Sequence, residues 1–308
     1  MYLTQEQAND KDLIVRLASQ AMQRPVKTVQ ALNGQISYNY EINHDTIFKL
    51  PSHRTNEEYW IDQSQYMPQL QKKLTYQIPV PIAHEIKLPQ GKVTACFYPK
   101  IQGHTFSKSS FYQKPFSQKV TFFEELSDAV YQLHNIQPDS LPVKFKTYLD
   151  RIALFLFKDS PNKQKEFKTR VQYFFQEKGV PLQHNILCHT DLHSGNVVLD
   201  SKNHIVGLLD WDSLCLGASF MEFHPLLYRS DDLNLFRQIY QKCTNQNVNE
   251  KATKCMEELY TMLFLYAFSS LTSPKNFKEK NKPCLISKKD IQRVFSVDTD
   301  RWTNFGRD

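Results

Sequence analysis

The sequence predicts an α+β protein, with an antiparallel sheet in the N-terminal third and a largely helical remainder. Two observations support this class. Within the first 100 residues, short runs carry apolar side chains at every second position and are separated by turn residues, as half-buried strands are. After residue 115, apolar residues recur at helical spacing. We therefore expect two lobes, at residues 1–101 and 102–308.

The predicted sheet begins with a hairpin. Apolar and polar residues alternate over 36–42, and Asn33-Gly34 before this run is a strong hairpin signal, so 26–32 is the partner strand. A third strand follows at 46–50 and is ended by Pro51.

A helix and a second hairpin complete the predicted N-terminal part. The helix spans about 54–73, and strands at 82–88 and 92–98 flank the turn Pro89-Gln90-Gly91.

The remaining predicted elements are mainly helices. The first has one apolar face and ends at Leu133-His134, where His134 is interpreted as a packing residue. Further helices are predicted by apolar spacing and stop signals. The first helix covers Phe116–Leu133, and the further ones are Phe145–Leu156, a segment ending at Lys178, and the neighbourhoods of 220–240, 250–271 and 288–295.

Composition is that of an ordinary globular protein, with 41% hydrophobic and 23% charged residues. The N-terminus shows no signal-peptide pattern, and the longest apolar stretch, 259–271, is too short to span a bilayer. The six cysteines form no CxxC pair and are expected to be reduced thiols, so we expect a cytoplasmic protein without membrane partners.

One polar stretch has the spacing of a phosphoryl-transfer site. It reads His189-x-Asp191-x₄-Asn196, and Asp210 follows the next apolar run. A kinase needs a carboxylate to accept the proton of the attacking hydroxyl, and an amide and a carboxylate to hold Mg²⁺. Asp191 fits the first role, and Asn196 with Asp210 fits the second. His189 taken alone is explained equally well by a hydrogen bond to the backbone.

The flanking residues place this stretch among strands. Short β-rich runs at 185–188, 197–199 and 205–209 surround it, and the polar turn 200–203 joins the last two. The polar residues therefore lie on a loop and at strand ends beside a small hairpin.

The stretch resembles the aminoglycoside phosphotransferase family, a branch of the protein-kinase-like fold that includes choline and homoserine kinases. Members typically show H-G-D-x-x-x-x-N and then I-D-W or I-D-F, where this chain has His189-Thr190-Asp191 and Leu209-Asp210-Trp211. The resemblance covers about 26–270 and is specific at 187–212. It implies a bilobal fold, Asp191 as catalytic base, and Asn196 and Asp210 as metal ligands.

Two departures from related patterns concern the surroundings of the base. His193 stands where protein kinases carry a lysine, and we place it with His189 as a supporting loop residue. The family often continues G-D-P-x-x-D, but Ala218 lacks the first carboxylate, and Glu222 stands in for the second.

The resemblance also implies a nucleotide site in the N-terminal part. Lys49 would reach the α- and β-phosphates, and Ser37, beyond a turn with only one glycine, is a further nucleotide-binding candidate. At the segment that resembles the kinase hinge, the Pro99 carbonyl and the Ile101 N–H would form hydrogen bonds with the nucleotide base.

The acidic partner that Lys49 needs on the following helix is not obvious. The family register falls on Gln63, which has no charge, so we favour the neighbouring Asp62, with Glu57 and Glu58 as alternatives.

The sequence therefore predicts a Mg²⁺-dependent kinase that moves the γ-phosphate of ATP or GTP to a hydroxyl of a small molecule. An aminoglycoside or amino-sugar acceptor, with a role in antibiotic resistance, is the first hypothesis, and choline-like or sugar acceptors come next. A regulatory nucleotide-binding pseudokinase is the alternative from another class, and a protein kinase is disfavoured because no A-P-E motif follows Asp210.

Charge gives weak guidance on partners. The net charge is +6, and the segment from Leu271 to Arg293 inclusive has seven basic but only two acidic residues, most simply as a solvated face. Polycationic acceptors need acidic pockets. Acidic residues that could line such a pocket follow the site in the sequence. These are Asp212, Glu222, Asp231, Asp232, Glu257 and Glu258. No nucleic-acid partner is expected, and the protein is expected to be a monomer or dimer.

Overall fold

The computed structural model describes residues 3–32, 37–52, 54–88, 91–157, 160–180, 182–223 and 228–259. These residues form two compact units. The first contains the chain up to Ser107 together with Asp139–Lys144 and Gly195–Asp212, and the second contains Lys108–Pro138, Phe145–Ser194 and the chain from Ser213 onward. The first unit is thus built from three separate segments of the chain.

The centre of the first unit is a five-stranded antiparallel sheet with strand order β1-β2-β3-β5-β4. The predicted sheet is confirmed. The turn residues 33–36 and 89–90 lie outside the described part of the chain. The strands are β1 (Val29–Leu32), β2 (Ser37–Ile42), β3 (Thr46–Pro51), β4 (Ile82–Leu88) and β5 (Gly91–Pro99).

The two faces of the sheet differ because side chains alternate along each strand. One face carries Phe48 and Leu50, which join an apolar cluster with the second of two N-terminal helices. These are α1 (Gln5–Asn9) and α2 (Lys11–Met22), which the sequence reading did not predict. The other face carries Cys96 and Tyr98, which pack against Trp60 of α3 (Arg54–Gln71).

A separate hairpin, from a later part of the chain, also belongs to the first unit. Strand β7 (Val197–Leu199) pairs with β8 (Ile205–Leu208). The amide and carbonyl of His104 bond to Leu199 at 2.9 and 2.8 Å, and those of Gln77 bond to Val206 and Leu208 at 3.0 and 2.9 Å. Main-chain bonds therefore fix the hairpin to residues near the end of the N-terminal segment.

The second unit is largely helical, as predicted, with a short strand pair. Strand β6 (Ile186–Cys188) pairs with β9 (Cys215–Gly217), a pairing that the sequence did not reveal. The helices are α4 (Lys108–Tyr112), α5 (Phe116–His134), α6 (Tyr148–Leu156), α7 (Pro161–Glu177), α8 (Ser230–Thr244) and α9 (250–259).

Some helix predictions need correction. The helix predicted near 220–240 is a 3₁₀ turn at Ser219–Glu222 and then α8, with 224–227 outside the described residues. Phe116, the first residue of the predicted helix with one apolar face, is 70% exposed at the start of α5. The segments 260–271 and 288–295 lie outside the described residues. Among the described residues, no helix is long and apolar enough to cross a membrane.

Candidate active site

The two predicted metal ligands are neighbours in the first unit. Asn196 immediately precedes β7, and Asp210 follows β8 after one residue. The Leu209 amide donates to the Asn196 carbonyl at 2.7 Å. This bond joins the start of β7, next to Asn196, to the end of β8, next to Asp210. The Asn196 amide oxygen and the Asp210 carboxylate are hard donors of the kind that Mg²⁺ prefers. This donor set therefore fits the predicted metal.

Asp210 has an unusual backbone. Its φ is 59°, in the left-handed region, which acidic residues tolerate better than most. The next residue, Trp211, is buried, and its indole N–H donates to the Leu208 carbonyl at 3.0 Å. The tryptophan thus anchors the turn that carries Asp210.

Lys49 lies on the face of the sheet opposite the α2 core. It pairs with Asn39 of β2 and Cys96 of β5. Its amine lies 5.5 Å from the centre of the Tyr98 ring. Ser37 is two residues from Asn39 on the same strand and therefore faces the same side, where its hydroxyl donates to the Asn39 side chain at 2.7 Å.

The residues predicted to read the nucleotide base lie at the end of the sheet. Pro99 is the last residue of β5 and is exposed. Ile101 is buried, and its side chain would be within 3.0 Å of a Cβ added at Gly207 of β8. Two residues later, Gly103 has φ +146°, and a Cβ there would lie 2.3 Å from the Leu199 carbonyl oxygen. Glycine at 103 permits this close approach to β7.

The favoured partner of Lys49 needs correction. Asp62 is exposed on α3, and no described ion pair joins it to Lys49. The neighbouring Gln63 is the buried residue, as the family register indicated, and its side-chain amide donates to the Asp212 carboxylate at 3.0 Å. The choice of Asp62 followed charge, whereas helical geometry turns the uncharged neighbour inward.

The candidate base is on the loop after β6 in the second unit. Asp191 is largely shielded, with a side chain 15% exposed, and His193 Nε2 lies 4.0 Å from its carboxylate. The Asp191 amide donates to Nδ1 of the fully buried His189 at 3.2 Å. His189 therefore accepts a hydrogen bond from the loop backbone next to Asp191.

Glu222 holds the same loop from within. Its two carboxylate oxygens accept the amides of His189 and Thr190, at 2.5 and 2.9 Å, and the residue has no exposed surface. Burial raises the pKa of Glu222, but His134, His189 and the Thr190 amide outweigh it, so that the net pKa is below its usual value. The carboxylate is therefore ionised at neutral pH.

The turn that Glu222 holds is strained. Thr190 has φ 63°, which is rare for a β-branched residue, and the family typically has glycine at this position. Besides the Glu222 bond, the Thr190 hydroxyl donates to the Ser213 carbonyl at 3.2 Å. Asp191 follows directly, so these bonds determine where the base lies. The G-D-P-x-x-D comparison had already indicated Glu222. The strain at Thr190 was not predicted, although threonine in place of the glycine of the H-G-D pattern was a signal for it.

An aromatic cluster supports the far side of the loop. The Tyr228 hydroxyl donates to the Leu192 carbonyl at 2.9 Å, and its ring packs against Phe111 and Phe123 at centroid distances of 5.5 and 5.1 Å. The backbone around Asp191 is thus fixed on both sides, by Glu222 before it and Tyr228 after it.

Comparison with known proteins shows the family of this chain. The model of the phosphotransferase enzyme family matches residues 28–243 of the 308. The chain belongs to this family. It is a nucleotide-dependent small-molecule kinase by membership, and its aminoglycoside phosphotransferase resemblance is confirmed. No curated protein matches the chain significantly.

Solved structures show the fold. The GDP and kanamycin complex of APH(2″)-IIIa is 16% identical, with a TM-score of 0.65, covering 95% of this chain and 99% of that one. The streptomycin–ATP complex of APH(2″)-IIa is 12% identical, with a TM-score of 0.57 and coverages of 94% and 97%. Macrolide 2′-phosphotransferase MphH from Brachybacterium faecium is 14% identical, with a TM-score of 0.57 and coverages of 88% and 99%. The phosphotransferase thus has the kinase-like α+β fold that its sequence predicted.

Proposed function

We propose that this phosphotransferase moves the γ-phosphate of ATP or GTP to a hydroxyl of a small molecule, with Asp191 as base. The observation that carries the proposal is the pairing of Asn196 and Asp210 at adjacent strand ends, in the same unit as Lys49. Asn196 and Asp210 would hold Mg²⁺, which would neutralise charge on the phosphate oxygens.

Each remaining residue has a role in binding or proton transfer. Lys49 binds the α- and β-phosphates, Ser37 lies on the same sheet face, and the main chain at Pro99 and Ile101 binds the nucleotide base. The acceptor oxygen attacks the γ-phosphorus as the bond to the β-phosphate oxygen breaks, and Asp191 takes the hydroxyl proton. The products are the phosphorylated acceptor and a nucleoside diphosphate.

An aminoglycoside or amino-sugar is the first acceptor that we propose, which would make the chain a cytoplasmic resistance enzyme. Similar structures hold kanamycin and streptomycin. Such polycations need unpaired carboxylates, because desolvated ammonium groups must be paired.

The charges of the second unit favour a second candidate with fewer amino groups, such as a neutral sugar. Glu222 binds backbone amides, Asp232 pairs with Lys119 at 2.9 Å, and Glu258 pairs with Lys178 at 2.8 Å. Three acids that follow the site are therefore already engaged within the protein. A macrolide phosphotransferase among the similar structures is consistent with an acceptor of lower charge.

The proposal is tested first by thermal shift with ATP and GTP, each with and without Mg²⁺. We expect a metal-dependent rise in Tm with one or both nucleotides. A panel of aminoglycosides, macrolides, choline and neutral sugars is then screened for acceptor-dependent release of nucleoside diphosphate. Metal-dependent binding without turnover on any acceptor would favour the pseudokinase alternative, and no binding at all would contradict both.

A further inference from the structure

Three side chains of metal-binding type meet in the interior of the second unit. They are His134 at the end of α5, Cys188 at the end of β6 and Glu222 in the 3₁₀ turn Ser219–Glu222. Each offers one donor atom, and these nitrogen, sulfur and oxygen atoms all lie within 4.8 Å of one another. Cys188 and Glu222 have no exposed surface, and the His134 side chain is 7% exposed. Three elements distant in sequence thus bring a mixed donor set together away from solvent.

One nitrogen of His134 is aimed into this cluster without a hydrogen bond of its own. Its Nδ1 lies 2.9 Å from the Tyr240 hydroxyl, whereas the buried Nε2 has no partner among the described residues. Nε2 faces the Glu222 carboxylate at 3.9 Å, which is longer than a hydrogen bond. Buried polar atoms nearly always have a partner, and a cation between the imidazole and the carboxylate would give this nitrogen one.

The charge of Glu222 favours a cation at the same place. Its carboxylate is ionised, and the hydrogen bonds that it accepts from His189 and Thr190 come from neutral amides. Buried charges are normally paired or bound to a metal. Zn²⁺ together with this carboxylate and the Cys188 thiolate has no net charge, so the ion would neutralise the cluster.

We propose that His134, Cys188 and Glu222 bind a structural Zn²⁺ ion that links α5, β6 and the 3₁₀ turn next to the catalytic loop. Imidazole, thiolate and carboxylate are ligands of zinc, which binds them at about 2.0–2.3 Å in tetrahedral geometry. Donor atoms of such a site lie about 3.3–3.7 Å apart, so the cluster contracts by up to about 1 Å on binding. The inference goes beyond phosphoryl transfer and does not depend on it.

Binding exchanges a proton for the metal. Burial and then Glu222 raise the pKa of Cys188 well above its usual value, so the metal-free thiol is protonated and donates to the Ala218 carbonyl at 3.5 Å. When the Zn–S bond forms, that proton leaves to solvent. The Ala218 carbonyl, released from the thiol, is then available as a fourth donor.

Metal content of the full chain tests the proposal. The protein is expressed in minimal medium with added Zn²⁺ or Co²⁺, purified without metal-affinity resin, dialysed against a weak chelator, and analysed by elemental mass spectrometry and by absorption. The variants are Cys188→Ala, His134→Gln and Tyr240→Phe. Cys215→Ala is the matched control, because Cys215 is the buried partner of Cys188 in the β6–β9 pair and lies outside the cluster.

We expect about one bound Zn²⁺ per chain in the parent and in Cys215→Ala, and loss of the ion from Cys188→Ala and His134→Gln. Tyr240→Phe keeps the ligands but removes the partner of Nδ1, so it should weaken Zn²⁺ binding by about 10–100-fold in competition with a chelating dye.

The Co²⁺ form separates this site from the proposed Mg²⁺ site. We expect the near-ultraviolet absorption band of a Co²⁺–thiolate bond in the parent and its absence in Cys188→Ala. Co²⁺ held by Asn196 and Asp210 would have oxygen ligands and no such band.

A folded parent without bound Zn²⁺ and without the thiolate band overturns the proposal and leaves an interaction of His134 with Glu222 alone. These two measurements on the parent decide the question even if Cys188→Ala does not fold. Equal Zn²⁺ content in folded Cys188→Ala and Cys215→Ala would also overturn it, because the ion would then lie elsewhere. Nucleotide binding and transfer are measured separately, so failure of the zinc site and failure of the proposed function are distinguishable.

Discussion

The substitution Glu222→Gln tests the support of the catalytic loop. The carboxylate accepts the amides of His189 and Thr190 with no exposed surface. A glutamine has the same shape but only one acceptor oxygen. Its NH₂ group must therefore face one of the two backbone N–H groups, and a buried donor is left without an acceptor.

The magnitude follows from these two bonds. A hydrogen bond to a charged group contributes about 1.5–3 kcal/mol, and an unsatisfied buried donor costs about 1–3 kcal/mol. The lower desolvation cost of a neutral amide offsets part of this loss. We therefore expect a net loss of about 2–3 kcal/mol in the free energy of unfolding. At about 2–4 °C per kcal/mol, Tm falls by roughly 4–12 °C.

The consequences for activity are selective. Glu222 holds Thr190, the residue directly before Asp191. Loosening this turn should therefore displace the base and lower turnover by about 10–100-fold. Lys49, Asn196 and Asp210 lie in the other unit, so the affinity for Mg²⁺-nucleotide should remain within about twofold.

Differential scanning calorimetry, nucleotide titration and turnover of the folded variant measure these three effects. Glu258→Gln is the matched control, because its pair with Lys178 is about half exposed and contributes at most about 1 kcal/mol. A Glu222→Gln protein with the Tm and turnover of the control would refute the view that Glu222 holds the loop.

Three further predictions concern the backbone and pH. Gly103→Ala should lower the free energy of unfolding by at least about 2 kcal/mol in urea titration, since its Cβ would lie 2.3 Å from a carbonyl oxygen at φ +146°; a loss under about 0.5 kcal/mol would contradict this packing. Thr190→Gly should change stability by less than about 1 kcal/mol, because relief of strain of about 1–3 kcal/mol offsets the lost hydrogen bond and added chain entropy; a loss above about 2 kcal/mol would show that the turn is not strained. The pKa of Glu222 is below its usual value of 4.5, so the stabilisation by its ionised carboxylate is present above that pH and is lost as pH falls through the lower folded-state pKa. The difference in free energy of unfolding between the parent and Glu222→Gln should therefore narrow below pH 4.5. A constant difference from pH 7 to pH 3 would be the contrary result.

The local patterns of the sheet and the catalytic loop could be predicted from the sequence. The alternation over 36–42 and the signals around 82–98 gave strands close to those observed. The spacing of Asn196 and Asp210 gave two neighbouring strand ends, because the intervening polar turn closes a hairpin.

Features that depend on contacts distant in sequence could not be predicted. The pairing of β6 with β9 joins strands separated by an entire hairpin. The choice between Asp62 and Gln63 depends on which side of α3 faces the sheet. The negative charge of Asp62 favoured Asp62, but Gln63 is the buried residue. The Gln63 bond to Asp212 spans 149 positions.

The N-terminal helices could have been predicted from capping residues and apolar spacing in the sequence, which the prediction did not use. Thr4 and Gln7 form a capping box at the start of α1, and the Asp10 side chain caps α2. Apolar residues of α2 then recur at helical spacing and cover the sheet. They are Ile14, Leu17, Ala18 and Ala21.

In the proposed mechanism, Asp191 takes the proton of the acceptor hydroxyl while Asn196 and Asp210 hold the metal. The most direct measurement compares Asp191→Asn with Asp210→Asn for Mg²⁺-nucleotide affinity and for transfer to an acceptor found in the panel. We expect Asp191→Asn to fold, to bind nucleotide like the parent and to lose about 10²- to 10⁴-fold in transfer, whereas Asp210→Asn should also lose metal-dependent binding. A folded Asp191→Asn protein that phosphorylates the acceptor within a fewfold of the parent would contradict the mechanism.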